Sequence, residues 1–139
     1  MIYLDTSVVV SLLVPEPKSA DVAAWFAGLT IMPMSSDWLL TEFASAISIK
    51  VRRGEVSESD ARAVRKEFEL LASGLRIVPI GRSAYRDAAK LAARHGHGLR
   101  AGDALHLAVA KDAGAKSLAT LDAVLSANAK RLKMGVEVI

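Results

Sequence analysis

Apolar positions fall into alternating short and long runs along the chain, each ended by a turn-forming residue. Ile2, Tyr3 and Leu4 make a short β-prone run that stops at Asp5-Thr6-Ser7. The β-branched stretch 8–14 predicts a short helix closed by Pro15 and Pro17, and 19–29 a second helix with Val22, Phe26 and Leu29 on one side. A second strand is expected over 31–34, where Pro33 marks an edge or a bulge. Residues 37–53 carry the most regular helical spacing: Leu39, Phe43, Ala46 and Ile47 form the buried stripe, and Gly54 is the stop. The stretch 57–73 opens with the capping spacing of Ser57 and Asp60 and carries Ala61, Val64, Phe68 and Leu71 before Gly74. A strand at 76–80, helices at 83–94 and 102–112, a strand at 117–120, a helix at 123–132 and a strand at 136–139 complete the series.

Strands separated by helices require crossover connections, and these imply a mainly parallel sheet covered by helices on both faces. The fold class is α/β, and the 139 residues fit one domain spanning 1–139, with no repeat or linker inside it. Composition narrows the picture further. An apolar fraction of 52% argues against disorder, and zero cysteine excludes disulfides, thiolate zinc sites, iron–sulfur clusters and a cysteine nucleophile. No apolar run approaches the ~20 residues needed to cross a bilayer, and the start lacks a basic, apolar leader, so a cytoplasmic protein without membrane contact is expected. The net charge of +3 is compatible with a polyanionic partner without requiring one. Lys50, Arg52 and Arg53 gather at one helix end, and Arg94, His95, His97 and Arg100 in a glycine-containing loop. Taken alone, each cluster reads as a solvated helix terminus.

Candidate chemistry enters through carboxylates. Ligands of parallel sheets bind beyond the carboxyl ends of the strands, near the point where strand order reverses. Asp5 follows the first strand, with Thr6 and Ser7 beside it; Asp122 follows the fourth, two residues after Thr120. Either acid alone is equally well a helix N-cap. Glu42 falls within the buried stripe of its helix, or at an exposed edge of that stripe, which the pattern alone does not separate; if buried, its own helix offers it little, with Trp38 four residues before and Ala46 four after. Asp103 opens a helix that is apolar on nearly every side, and His106 on the same face reads as a hydrogen-bonded structural histidine. Together, the four acids can meet above one sheet edge. A dry cluster of four carboxylates cannot stay ionised alone, and a hard divalent cation removes the conflict. All-oxygen ligands suit Mg²⁺ or Mn²⁺, whose chemistry beside a mildly basic surface points to phosphodiester hydrolysis.

Asp5-Thr6-Ser7, Thr41-Glu42-Phe43, Gly102-Asp103-Ala104-Leu105-His106 and Thr120-Leu121-Asp122, in this order and on these elements, resemble the PIN-domain nucleases, in particular the VapC toxins of VapBC toxin–antitoxin modules. The resemblance spans essentially the whole chain. It implies a three-layer α/β/α fold with a five-stranded sheet in the order 3-2-1-4-5. It also implies that Asp5, Glu42, Asp103 and Asp122 are the metal-binding and catalytic acids, with Thr6 or Ser7, and Thr120, as hydroxyls that orient carboxylates or water. The implied activity is Mg²⁺- or Mn²⁺-dependent endoribonuclease cleavage of structured RNA such as tRNA or rRNA. The implied partners are a second copy and a VapB-type antitoxin.

Two features stand apart from that pattern. The basic stretch 94–100 is expected to contact RNA phosphates through Arg94 and Arg100, while His95 and His97 read as part of a solvated turn. Pro33 is expected to loosen the sheet locally. Trp25 sits next to Phe26, which follows the buried stripe, so Trp25 is expected to face outward as an antitoxin or subunit contact; packing on the 57–73 helix is the plainer reading. Other phosphoryl-transfer folds fit less well. Ser7 stands where a haloacid-dehalogenase phosphatase has its second aspartate, the paired acids of a receiver domain are missing, and neither a Walker A loop nor a Rossmann glycine fingerprint is present. The alternative of another class is a catalytically silent PIN-like module that grips RNA or an antitoxin without cutting.

Overall fold

The computed structural model describes residues 1–139. Its central strand, β1 (Ile2–Leu4), runs directly into α1 (Thr6–Leu13), and α2 (Ser19–Ala27) follows the two prolines. Next come β2 (Met34–Ser36), the long helices α3 (Trp38–Arg52) and α4 (Glu58–Gly74), β3 (Arg76–Val78) and α5 (Arg82–Ala93). A 3₁₀ turn (His95–His97) leads to α6 (Ala101–Asp112), β4 (Ser117–Ala119), α7 (Ala123–Arg131) and β5 (Gly135–Val136). All pairings are parallel, and the strand order is β3-β2-β1-β4-β5.

Alternation along the strands divides the core between the two faces of the sheet. Tyr3, Met34 and Leu118 point into a cluster with Ala84 and Ala88 of α5, Leu107 of α6 and Leu125 of α7. Leu4 and Ala119 point the other way, against Val8 and Val9 of α1, Leu39, Phe43 and Ile47 of α3, and Phe68 of α4. The rings of Phe43 and Phe68 stack with centroids 4.0 Å apart and planes 6° from parallel, joining α3 to α4. One helix serves both sides: α3 puts its stripe in the second cluster and Trp38 against the first.

Two strands lie elsewhere than periodicity indicates. The second begins at Met34, after Pro33, rather than spanning 31–34. Proline has no N–H for the ladder, so pairing starts beyond it, and the Pro33 carbonyl still accepts from the Arg76 amide at 3.1 Å. Pro33 thus precedes the strand instead of loosening it. Ser35 and Ser36 carry the strand onward although both are polar and fully buried. The Ser35 hydroxyl donates to the Leu4 carbonyl (2.9 Å), and Ser36 Oγ lies 2.8 Å from the Tyr3 hydroxyl. The fifth strand is Gly135–Val136, shorter than 136–139, and Val138 beyond it is 94% exposed.

Candidate active site

Strand order reverses between β1 and β4, and the acids gather beyond the carboxyl ends of these two neighbours. Asp5 caps α1, accepting from the Val8 amide at 3.3 Å, and Asp122 caps α7, accepting from the Leu125 amide at 2.7 Å. For both residues, capping and a place at the candidate site hold at once. Asp5 is almost fully buried and takes two hydroxyl donors, Ser7 at 2.6 Å and Thr120 at 2.7 Å. Ser7 Oγ in turn accepts from the Leu121 amide and Thr120 Oγ1 from the Asp122 amide, both at 3.0 Å. These bonds stitch the two strand ends together and direct both hydroxyl protons at Asp5. Burial raises the Asp5 carboxyl above its ordinary range, despite the opposing Ser7 and Thr120 bonds.

Glu42 is reached from three elements. His106 Nε2 of α6 lies 2.9 Å from Oε1, and the Trp38 indole N–H, one turn earlier on α3, donates to Oε2 at 3.0 Å. Thr6 sits beside this junction, its Oγ1 3.1 Å from His106 Nε2, so Thr6 serves Glu42 while Ser7 serves Asp5. Burial alone raises the Glu42 carboxyl, but the bonds from His106, Thr6 and Trp38 outweigh it and hold the group below its usual range. The expectation that its own helix offers Glu42 little is therefore corrected: an indole four residues earlier is a donor of the right reach. Gly102 makes room for this arrangement, since a Cβ there would stand 2.5 Å from Glu42 Oε2 and 3.2 Å from the Trp38 nitrogen.

The Asp103 side chain, in the first turn of α6, makes no hydrogen bond within the protein; Arg100 Nε stands 3.9 Å away, its side chain 85% exposed. Burial raises its carboxyl, Asp122 raises it further, Arg100 opposes, and Glu42 and Asp5 add to the rise. All four acids line one open cleft of about 540 Å³. Glu16 and Glu55 on the walls bring the carboxylates to six against three cations, Lys50, Arg53 and Arg100. Lys50 is claimed by Glu16 at 3.0 Å and Glu55 at 3.5 Å. The cleft therefore carries an excess of negative charge.

This donor set suits a hard cation. No three acids close on one point as the side chains stand, but Mg²⁺ commonly takes one or two carboxylates and keeps several waters. Asp103, without a protein donor, and Asp5, with acceptor capacity left on Oδ2, are the carboxylates best placed to hold it, and Glu42 and Asp122 flank them in the cleft.

A family model described as PIN domain matches residues 2–131. The chain belongs to the PIN-domain family. Its fold is shared with VapC20 of Mycobacterium tuberculosis, described as a sarcin–ricin loop cleaving toxin, at a TM-score of 0.74 and 21% identity over 92% of this chain and 95% of that one. FitAcB from Neisseria gonorrhoeae superposes with a TM-score of 0.73 and 24% identity, covering 99% of this chain and 97% of that one. VapBC2 from Rickettsia felis, solved bound to a DNA fragment from its promoter, gives 0.67 and 19% identity over 99% and 98%. No curated protein matches the chain.

On this PIN domain the other expected contacts separate. Arg100 borders the acid cleft, whereas Arg94 caps α5 and lines a different groove with Lys90 and Lys111. Between them the 3₁₀ turn ends at Gly98, whose φ of 74° suits glycine, and Asn128 of α7 pins it by donating to the His97 carbonyl at 2.9 Å. Trp25 is not a free outward ring. It is half-buried against the cluster formed by α1, α3 and α4, and its N–H donates to Glu137 at 3.3 Å. Glu137 also accepts from Ser117, so the end of the chain claims the indole. No helix is long and apolar enough to cross a membrane.

Proposed function

We propose that this protein is the toxic ribonuclease of a type II toxin–antitoxin pair, a Mg²⁺- or Mn²⁺-dependent endoribonuclease that hydrolyses structured RNA such as tRNA or rRNA. The observation that carries this reading is the meeting of Asp5, Glu42, Asp103 and Asp122, from four separate segments, in one cleft at the sheet's switch point. PIN-family membership and a fold shared with VapC20, described as a sarcin–ricin loop cleaving toxin, support it. A divalent cation, when bound, supplies a water of lowered pKa and offsets charge on the phosphoryl group. Asp5 and Asp103 would hold that cation, with Ser7 and Thr120 fixing the Asp5 carboxylate, and Glu42 and Asp122 would orient the attacking water. Arg100, at the exposed rim, contacts the RNA backbone. In this reading the protein acts in the cytoplasm as a homodimer and is restrained by a VapB-type antitoxin; the antitoxin partner is supported by the fold shared with a toxin–antitoxin complex from Klebsiella pneumoniae.

The test uses metal-stripped protein and end-labelled total tRNA and rRNA, with and without Mg²⁺ or Mn²⁺, beside Asp5→Asn. Discrete cleavage that needs the metal and disappears in Asp5→Asn is the expected result. Cleavage by Asp5→Asn at the wild-type rate refutes the assignment, and RNA binding without cleavage or metal binding favours the silent module.

A further inference from the structure

His106 is fully buried in a helix that is otherwise apolar from Ala104 to Ala110. An imidazole there is costly unless its polar atoms are paired. Both ring nitrogens are paired, and no buried side-chain nitrogen or oxygen in the protein lacks a partner. Nε2 faces Glu42 Oε1 at 2.9 Å, with Thr6 Oγ1 at 3.1 Å; Nδ1 faces the Tyr3 hydroxyl at 2.9 Å; and that hydroxyl meets Ser36 Oγ at 2.8 Å. The Tyr3 and His106 rings meet edge to face with centroids 5.7 Å apart. A buried chain thus runs from β2 through β1 and α6 to the one candidate acid that lies on neither a strand end nor a helix start.

We propose that His106 is a positioning residue, donating an Nε2–H to Glu42 and holding its carboxylate in the cleft while Tyr3 and Ser36 fix the ring from behind. An ionised carboxylate can only accept, so the nitrogen 2.9 Å from Oε1 must carry the hydrogen. Flipping the ring sets carbon atoms against both Glu42 and Tyr3, breaking both bonds and leaving the fully buried Tyr3 hydroxyl with Ser36 alone. An ordinary phenol keeps its proton at neutral pH, so the Tyr3 hydroxyl, 2.9 Å from Nδ1 and 2.8 Å from Ser36 Oγ, can sustain this role. One hydroxyl proton on each of Tyr3 and Ser36 suffices to satisfy Nδ1 whether that nitrogen accepts or donates. Trp38 holds the other Glu42 oxygen, so the carboxylate is fixed at both ends. The proposal rests on the nuclease reading for what Glu42 does, but the hydrogen bond itself can be examined without RNA.

The test has two arms. In ¹⁵N-labelled protein, long-range ¹H–¹⁵N correlation should show His106 protonated at Nε2, with a resonance that moves in Glu42→Ala. An unprotonated Nε2, or a resonance indifferent to Glu42→Ala, overturns the proposal. In the kinetic arm, His106→Leu should lower kcat on the cleaved RNA by roughly 10–100-fold with KM nearly unchanged, the usual cost of losing an outer partner that orients a side chain of a metal site. His106→Gln, which keeps an N–H at similar reach, should recover most of that loss. A histidine that only fills the core gives the reverse order: the apolar leucine folds and cleaves as wild type, and glutamine is the poorer replacement. Wild-type protein that cuts no RNA while the Nε2–H signal responds to Glu42→Ala refutes the nuclease reading and leaves the hydrogen bond standing.

Discussion

Gly102→Ala offers a sharp separation of site geometry from fold. The added methyl group would lie 2.5 Å from Glu42 Oε2 and 3.2 Å from Trp38 Nε1, against the roughly 3.4 Å that marks ordinary contact. The obstructing atom is the end of a flexible side chain, so Glu42 yields and the backbone of α6 stays in place. Moving Oε2 away costs its 3.0 Å bond from Trp38 and disturbs the 2.9 Å bond to His106 at the other oxygen. A hydrogen bond to a charged group contributes about 1.5–3 kcal/mol, and if that ordering acts in the transition state its loss corresponds to a drop of roughly 10–150-fold in kcat. Folding changes less, because alanine in a helix gains about 0.5–1 kcal/mol over glycine and offsets part of the lost bond. The assay is single-turnover cleavage of end-labelled RNA beside a urea melt followed by circular dichroism. We expect a stable protein with impaired cleavage and a changed Trp38 emission. Wild-type cleavage with unchanged emission refutes the reasoning, and loss of folding shows that the clash falls on the backbone.

The remaining predictions address neighbouring parts of the molecule. Burial and Asp122 raise the Asp103 carboxyl, so the folded state binds its proton more readily than the unfolded chain, and stability falls as pH rises from the ordinary carboxylate range through the raised value. Asp103→Asn should therefore melt higher than wild type at pH 7 without metal, with the difference vanishing toward acid pH; a lower melting temperature at pH 7 contradicts this. Thr120→Val removes the 2.7 Å donor to Asp5 Oδ2 and should cost roughly 10–100-fold in metal affinity or cleavage, measured by Mn²⁺ titration and RNA turnover. Phe43→Ala breaks the stack with Phe68 in the fully buried core and should cost about 3–5 kcal/mol in urea unfolding. Arg100→Glu should weaken RNA binding and lower the slope of log K against log salt by about one, while Arg94→Glu, in another groove, leaves both near wild type. Equal losses in the two variants place the RNA across both grooves.

Local signals carried the fold a long way. Element order, the parallel sheet and most helix limits follow from apolar spacing and from stops such as Gly54 and Gly74, because periodicity and capping depend on residues within a turn of one another. The four acids were legible for the same reason: each sits where a strand ends, a helix starts or an apolar stripe is interrupted. What escaped depends on partners distant in the chain. Ser35 and Ser36 fall outside the strand expected at 31–34 because what makes them strand is distant: Leu4 and Tyr3, 31 and 33 residues away, satisfy them inside the sheet. Trp25 reads as free until Glu137, 112 residues on, takes its N–H. Arg94 and Arg100 read as one basic patch until folding turns them toward separate grooves. His106 reads as a hydrogen-bonded structural histidine, but its partners, Glu42 64 residues earlier and Tyr3 103 residues earlier, are set only by the fold. Side-chain spacing decides which segments are helix or strand; which polar groups are satisfied, and by whom, is decided only when the sheet brings those segments together, because the energy of a buried donor depends on a partner that local sequence does not contain.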